Sequence, residues 1–237
     1  MDIPRFSIIV PALHESDRIN FLIDHINSSG CNKGCEIIVV DGSRENDTIE
    51  AIGNKEVITL RSEKGRGKQM NAGASVARGE ILIFIHADTE LPPGAFAKIN
   101  SVMEQNKYVG GAFSLGIKPE KFLYKSLARL ASLRCRLTRI PYGDQAIFIR
   151  RDYFNRIGGY REISLMEDVE LMRRIKHTGK EICILPDPVM TSARRWDEEG
   201  FLYVLLRNTT LFIMYILGVS PEKLARFYRS EYRRSKT

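Results

Sequence analysis

The sequence predicts an α/β fold with a mostly parallel central sheet flanked by helices. Three observations predict it. Short apolar, β-branched runs recur at residues 6–10, 36–40, 57–60 and 81–85, the signature of strands buried on both faces. Helix-periodic segments separate them, as βαβ units require. The second and fourth runs stop at Asp41-Gly42-Ser43 and His86-Ala87-Asp88-Thr89, where polar turn residues take over.

The elements follow in order. Pro11 closes the first strand, and Ser16 is placed to cap a helix whose Ile19, Leu22, Ile23 and Ile26 share one face. After the strand at 36–40, Asn46 or Asp47 caps a short helix ending at 52. The strand at 57–60 leads into Gly65-Arg66-Gly67-Lys68, read as a loop, and then an Ala-rich helix over 69–77. Beyond the strand at 81–85, Pro92 and Pro93 open a helix with Phe96, Ile99 and Met103 on one face. The second half is less regular: a strand at 110–117, a basic helix over 119–137, a strand at 146–150 and a helix over 167–176. Two short strands at 182–185 and 189–193 complete it. No repeat or linker divides the first 200 residues, which read as one catalytic domain with a helical extension over 201–237.

At 43% hydrophobic and 27% charged residues, the 237-residue chain is composed like a folded globular protein. Its net charge of +7 suits anionic partners, phosphates or an anionic membrane face. Nucleic acid is not expected, because the cations are spread over several elements with no aromatic platform among them. Cys31 and Cys35 lie close together, but no second pair completes a zinc set. All four cysteines are therefore expected as free thiols. No basic segment followed by a longer apolar run opens the chain, so a cytoplasmic location is expected. In the tail, residues 201–219 are apolar but interrupted by Arg207 and Asn208, too broken for a membrane span. Lys223, Arg226, Arg229, Arg233, Arg234 and Lys236 follow. Such a segment either packs on the core or lies peripherally on the inner face of a membrane.

Ligands of parallel sheets bind beyond the carboxyl ends of the strands, where Asp41 and Asp88 stand. A carboxylate there is costly to desolvate unless compensated, and a divalent cation, Mn²⁺ or Mg²⁺, compensates well. Arg66 and Lys68, in the Gly-containing segment, are placed to reach a diphosphate. That segment is not a Walker loop, since Gly65 and Gly67 are one residue apart and Gln69 follows Lys68. No Gly-x-Gly-x-x-Gly follows the first strand, which excludes the dinucleotide fingerprint. Glu167-Asp168 opens a helix and offers a general base, with helix-end charge complementarity as the structural alternative. Asp144-Gln145 is either acceptor-binding or a plain turn. Arg194-Arg195-Trp196 offers cations and an aromatic face to a phosphate or sugar, or forms a surface cation–π cluster.

Taken in order, Ser7-Ile-Ile-Val-Pro-Ala-Leu-His-Glu15, Glu36-Ile-Ile-Val-Val-Asp-Gly-Ser43, Gly65-Arg-Gly-Lys-Gln-Met-Asn-Ala-Gly73, Gly79-Glu-Ile-Leu-Ile-Phe-Ile-His-Ala-Asp-Thr89 and Met166-Glu-Asp-Val-Glu-Leu171 resemble the family 2 glycosyltransferases of GT-A fold. The resemblance implies that Pro11, Ala12 and Glu15 line a nucleoside pocket, that Asp41 contacts the base, and that Arg66 lies near base and phosphates. It makes Asp88 the last acid of the Asp-x-Asp motif, binding metal and diphosphate, and Asp168 the catalytic base. Arg195-Trp196 resembles the end of the Gln-x-x-Arg-Trp motif, with Ser192 at the Gln position. Two residues depart from the pattern. His86 stands where the first Asp of the motif belongs, as in a bacterial subset of the family, and His14 precedes Glu15 in place of Asn.

The implied activity is inverting transfer of a sugar from a nucleotide diphospho-sugar, expected to be UDP-linked, to an unidentified hydroxyl acceptor. The apolar tail points to a lipid-linked acceptor. The alternatives are a nucleotide-sugar-binding module without turnover, favoured by His86, and a nucleotidyltransferase, disfavoured by the missing Gly-rich loop after the first strand.

Overall fold

The computed structural model describes residues 3–31 and 34–234, apart from the side chains of Arg195 and of residues 229–234. Their order is β1 (Phe6–Ala12), α1 (Ile19–Ser28), β2 (Cys35–Asp41), α2 (Asp47–Ala51), β3 (Ile58–Arg61), α3 (Arg66–Val76), β4 (Ile81–Phe84), α4 (Ala95–Met103) and β5 (Tyr108–Lys118). There follow α5 (Phe122–Thr138), β6 (Ile147–Arg150), α6 (Arg151–Arg156), α7 (Glu167–His177), β7 (Glu181–Ser192), α8 (Arg194–Glu199), α9 (Phe201–Ile216) and α10 (Pro221–Arg234). A single 3-10 turn, Gly143–Gln145, precedes β6.

The seven strands form one sheet in the order β3-β2-β1-β4-β6-β5-β7. Pairings β1/β2, β1/β4, β2/β3 and β5/β7 are parallel, whereas β6 runs antiparallel to both β4 and β5. The chain steps outward from β1 through β2 to β3, then returns to add β4 on the other side of β1. That reversal opens a crevice beyond the carboxyl ends of β1 and β4, where open α/β sheets hold ligands.

Strand alternation divides the core. Ile8, Val10 and Ile83 face a layer containing α1 and α4, while Ile9, Leu82 and Phe84 face α3, α6 and α7. On α1, Ile19, Leu22, Ile23 and Ile26 are all buried, each stabilising by about 1.5–3 kcal/mol relative to exposure. The periodic face was legible in the sequence; the cap was not. Ser16 does not cap α1, which starts after Arg18 with no side-chain cap.

Other expectations need correction. Cys31 and Cys35 are not free thiols: they form a disulfide across the connection from α1 to β2, where their Cα atoms are 5.5 Å apart. Cys135 and Cys183 are free. The segment from Arg66 to Lys68 is the first turn of α3 rather than a loop. The expected strands at 182–185 and 189–193 are one strand, β7, whose register with β5 shifts at Pro186-Asp187. The basic helix begins at Phe122, past Pro119.

The C-terminal helices pack on the body of the protein. Val204, Arg207 and Leu211 of α9 are buried, and Phe212 and Tyr215 pack against the core layer of α3, α6 and α7. Buried Arg207 pairs with Glu199 and lies 4.5 Å from the centre of the Tyr228 ring, joining α8, α9 and α10. Among the described residues, no helix is long and apolar enough to cross a membrane.

Candidate active site

The crevice is walled by segments that glycines and amide side chains hold in place. Gln69, buried on α3, donates through Nε2 to the carbonyls of Ala12 (2.7 Å) and Val40 (2.8 Å), tying the ends of β1 and β2 together. A Cβ on Gly42 would meet the Gln69 amide group at 2.9 Å, so a larger residue there would have to displace that side chain from its two carbonyls. Asn71 clasps Tyr160 in both directions, at 2.8 and 2.9 Å. Gly67 lets α3 approach the following segment closely, since a Cβ there would sit 2.6 Å from the Arg161 carbonyl oxygen. The Gly-containing stretch thus brings the first turn of α3 against the backbone at Arg161. Arg66 then faces buried Glu167, 3.9 Å away.

Four carboxylates gather beyond the strand ends. Glu167 and Asp168 open α7 behind Met166, which takes a left-handed φ of 67°. A non-glycine residue there costs about 1–2 kcal/mol, and the bend sets the start of α7. Asp168 Oδ2 accepts from the Gly143 N–H at 2.6 Å and Oδ1 from its neighbour Val169 at 2.7 Å. A Cβ on Gly143 would lie 3.0 Å from His86 Nε2 and 3.6 Å from Asp168 Oδ2, so the 3-10 turn sits between the His86 loop and α7. Asp144 of that turn interacts electrostatically with both Asp168 and Asp88.

Desolvation and mutual repulsion raise the proton affinity of Asp144, Glu167 and Asp168. Asp144, whose Oδ1 is sealed from solvent without a partner among the described residues, is pushed up to about 6 by desolvation and by Asp168 and Asp88. Glu167 is pushed up to about 7 by desolvation and by Asp168, against the pull of Arg66. Asp168 is also raised by desolvation, while the Gly143 and Val169 amides and Arg66 favour its ionised form. Glu15 is raised by desolvation, with Arg194 opposing and Asp88 adding. The described residues include no three His, Cys, Asp or Glu side chains grouped to cage a metal. The donor set does fit a cation that shares its shell with a phosphate ligand, because Asp88 lies among acids that outnumber their cations.

The remaining sequence candidates divide. Pro11 and Ala12 end β1, and Asp41 ends β2 with Oδ1 accepting from the Ser43 N–H at 2.7 Å. Its Oδ2 is buried with no partner among the described residues, an acceptor oriented at the strand ends. Lys68 is not with the acids: two residues beyond Arg66, it pairs with Glu63 near the surface. Gln145 accepts from the Tyr142 N–H and donates to the Phe113 carbonyl, which holds the turn. Trp196 packs 5.5 Å from Phe201 in a small cluster with Ile117, Tyr124 and Ala193. The Arg195 side chain lies outside the described residues. Arg134 was missed: it stacks over Tyr142 at 3.8 Å and opposes the rise at Asp144. Nothing in the basic helix singles it out from Arg129 or Arg136.

The model of glycosyl transferase family 2 matches residues 7–164. The chain belongs to glycosyl transferase family 2. It is 26% identical over 133 residues to a dolichol-phosphate mannosyltransferase of Mycosarcoma maydis, covering 50% of this chain and 45% of that one. It is 27% identical over 184 residues to a PGL/p-HBAD biosynthesis glycosyltransferase of Mycobacterium bovis, covering 68% and 64%. The chain thus spans between about half and two thirds of the length of these relatives. A mannosyltransferase of Pyrobaculum calidifontis, solved with GDP-Man and Mn²⁺, superposes with a TM-score of 0.62 at 23% identity, covering 80% of this chain and 56% of that one. That likeness is one of fold, and the family 2 chain has the expected GT-A architecture.

Proposed function

We propose that this chain transfers a sugar from a nucleotide diphospho-sugar to a hydroxyl acceptor, with inversion at the anomeric carbon. The observation that carries the reading is the convergence of Asp88, Asp144, Glu167 and Asp168 with Arg66 at the switch point of a GT-A sheet. Pro11, Ala12, Glu15 and Asp41 line the nucleoside side, where the unpartnered Asp41 Oδ2 accepts from the base. Asp88, with His86 beside it, would hold a divalent cation, supported by the Mn²⁺ of the Pyrobaculum structure. Bound there, such an ion supplies charge neutralisation for the departing diphosphate.

The chain's own residues divide the rest of the work. Arg66, beside Glu167, offers positive charge where the diphosphate leaves. Asp168 takes the proton of the acceptor hydroxyl as its oxygen bonds to the anomeric carbon. The bond from that carbon to the diphosphate breaks, and nucleoside diphosphate departs with the electron pair. Two backbone N–H donors keep Asp168 oriented and favour its ionised form against the desolvation that raises its proton affinity. Tyr142 and Asp144 stand on the acceptor side. The catalytic machinery lies within residues 1–200, and α9 and α10 belong to the extension next to the acceptor. A lipid-linked acceptor is supported by the names of the dolichol-phosphate and PGL relatives.

The test is product analysis with radiolabelled UDP- and GDP-sugars and Mn²⁺. Release of nucleoside diphosphate supports transfer. Pyrophosphate release would make it a nucleotidyltransferase, and tight binding without turnover a binding module.

A further inference from the structure

We propose that the outer face formed by α5 and α9 docks on an anionic lipid bilayer and brings the active site to it. Of the fourteen exposed large apolar residues among those described, ten lie on α5, on α9 or at Leu217 just beyond α9. On α5, Leu123, Leu130, Leu133 and Leu137 recur at helical spacing; on α9, Leu202, Leu206, Ile213 and Ile216 do the same. Leu130, Leu137, Leu202 and Leu217 are 66%, 76%, 65% and 78% exposed. The two helices run side by side in the same direction, because Tyr124 meets Phe201 at 6.0 Å and Arg134 meets Phe212 at 5.9 Å. Their rows therefore form one patch, of a kind that marks interaction sites.

Charge identifies the occupant. Neither α5 nor α9 contains an Asp or Glu, whereas α5 carries Lys125, Arg129, Arg134 and Arg136, with Arg129 and Arg136 exposed beside the leucine row. The carboxylates nearest its start, Glu120 and Asp197, pair with Lys125 and Lys121. A second copy would oppose like charges across such a patch, while an anionic bilayer complements both its apolar rows and its cations. Neither helix is long and apolar enough to cross, so both lie in the interfacial plane. The layer also adjoins the site: Arg134 of α5 and Phe212 of α9 both contact Tyr142, next to Gly143 and Asp144. The inference rests on the proposed transfer reaction only for its purpose, delivery of a membrane-held acceptor. Docking itself is read without turnover, so the two readings fail separately.

The experiment is co-sedimentation of the full chain with phosphatidylcholine vesicles, with and without about one third phosphatidylglycerol. Binding is expected to the anionic vesicles and to fall several-fold in high salt. Leu133→Glu should weaken it by roughly ten-fold, since it both withdraws apolar area and adds repulsion. Arg129→Glu leaves the apolar rows intact and should weaken it by about five-fold. Circular dichroism melts verify that both exposed-site variants stay folded. Absence of binding to the anionic vesicles, or binding that neither variant changes, overturns the proposal. So does a dimer in light scattering that Leu133→Glu disperses, which would make the occupant a second copy.

Discussion

Replacing Asp168 by Asn separates chemistry from binding at the centre of the site. The carboxylate now accepts from two backbone amides, at 2.6 Å from Gly143 and 2.7 Å from Val169. An Asn side chain has one acceptor oxygen, so one of these donors loses its partner, at a cost of about 1–3 kcal/mol. Against that, a negative charge beside Glu167 and Asp144 disappears, which removes part of their desolvated repulsion. The melting temperature should therefore fall by no more than about 5 °C for a chain of this size. Turnover should respond far more. Losing a general base costs roughly 10²–10⁴-fold, equivalent to about 3–5 kcal/mol of barrier. The assay pairs calorimetry with nucleoside diphosphate and Mn²⁺ against the rate of nucleoside diphosphate release from the full donor. Asp168→Asn should bind within about three-fold of wild type while its rate drops at least 100-fold. Equal losses in both, or an unchanged rate, would refute the role of Asp168.

Three further outcomes follow from the same geometry. Asp144 at about 6 and Glu167 at about 7 bind protons more tightly folded than unfolded, so the stability they contribute is fully present below about pH 4 and lost as pH rises through 7. Melting curves between pH 4 and 8 should show that slope, with a ceiling of about 3 kcal/mol per group, and Glu167→Gln should flatten it and melt higher than wild type at pH 8. Gly67→Ala must push α3 off the Arg161 carbonyl, destabilising by about 1–3 kcal/mol in urea denaturation and weakening diphosphate binding by displacing Arg66. Asp88→Asn should raise the Mn²⁺ concentration needed for half-maximal nucleotide binding by about ten-fold, read by calorimetry without turnover.

Much of the fold was legible because burial writes itself into short β-branched runs. The strands at 6–10, 36–40 and 81–85 appear in place, as does the α1 face of Ile19, Leu22, Ile23 and Ile26. Turn acids at strand ends marked Asp41 and Asp88, and the position of a turn after a parallel strand is set by local chain direction. Less local features escaped. The Cys31–Cys35 disulfide depends on how a helix end meets a strand start, and spacing alone left the cysteines as thiols. Gly65-Arg66-Gly67-Lys68 was read as a loop because glycine reports the need for close approach without naming the approaching group, here the Arg161 backbone.

By itself, then, the sequence determined the α/β class and the parallel half of the sheet, and marked the individual acids as candidates. These follow from hydrophobic period and turn chemistry, which are properties of neighbouring residues. Only the tertiary structure decided that Arg66 faces Glu167 while Lys68 turns to Glu63, that Asp144 shares the field of Asp88 and Asp168, and that the leucine rows of α5 and α9 lie on one face. Those are relations between segments far apart in the chain, fixed by the reversal of strand order at β1 and by glycines that let α3 close on residues 160–167.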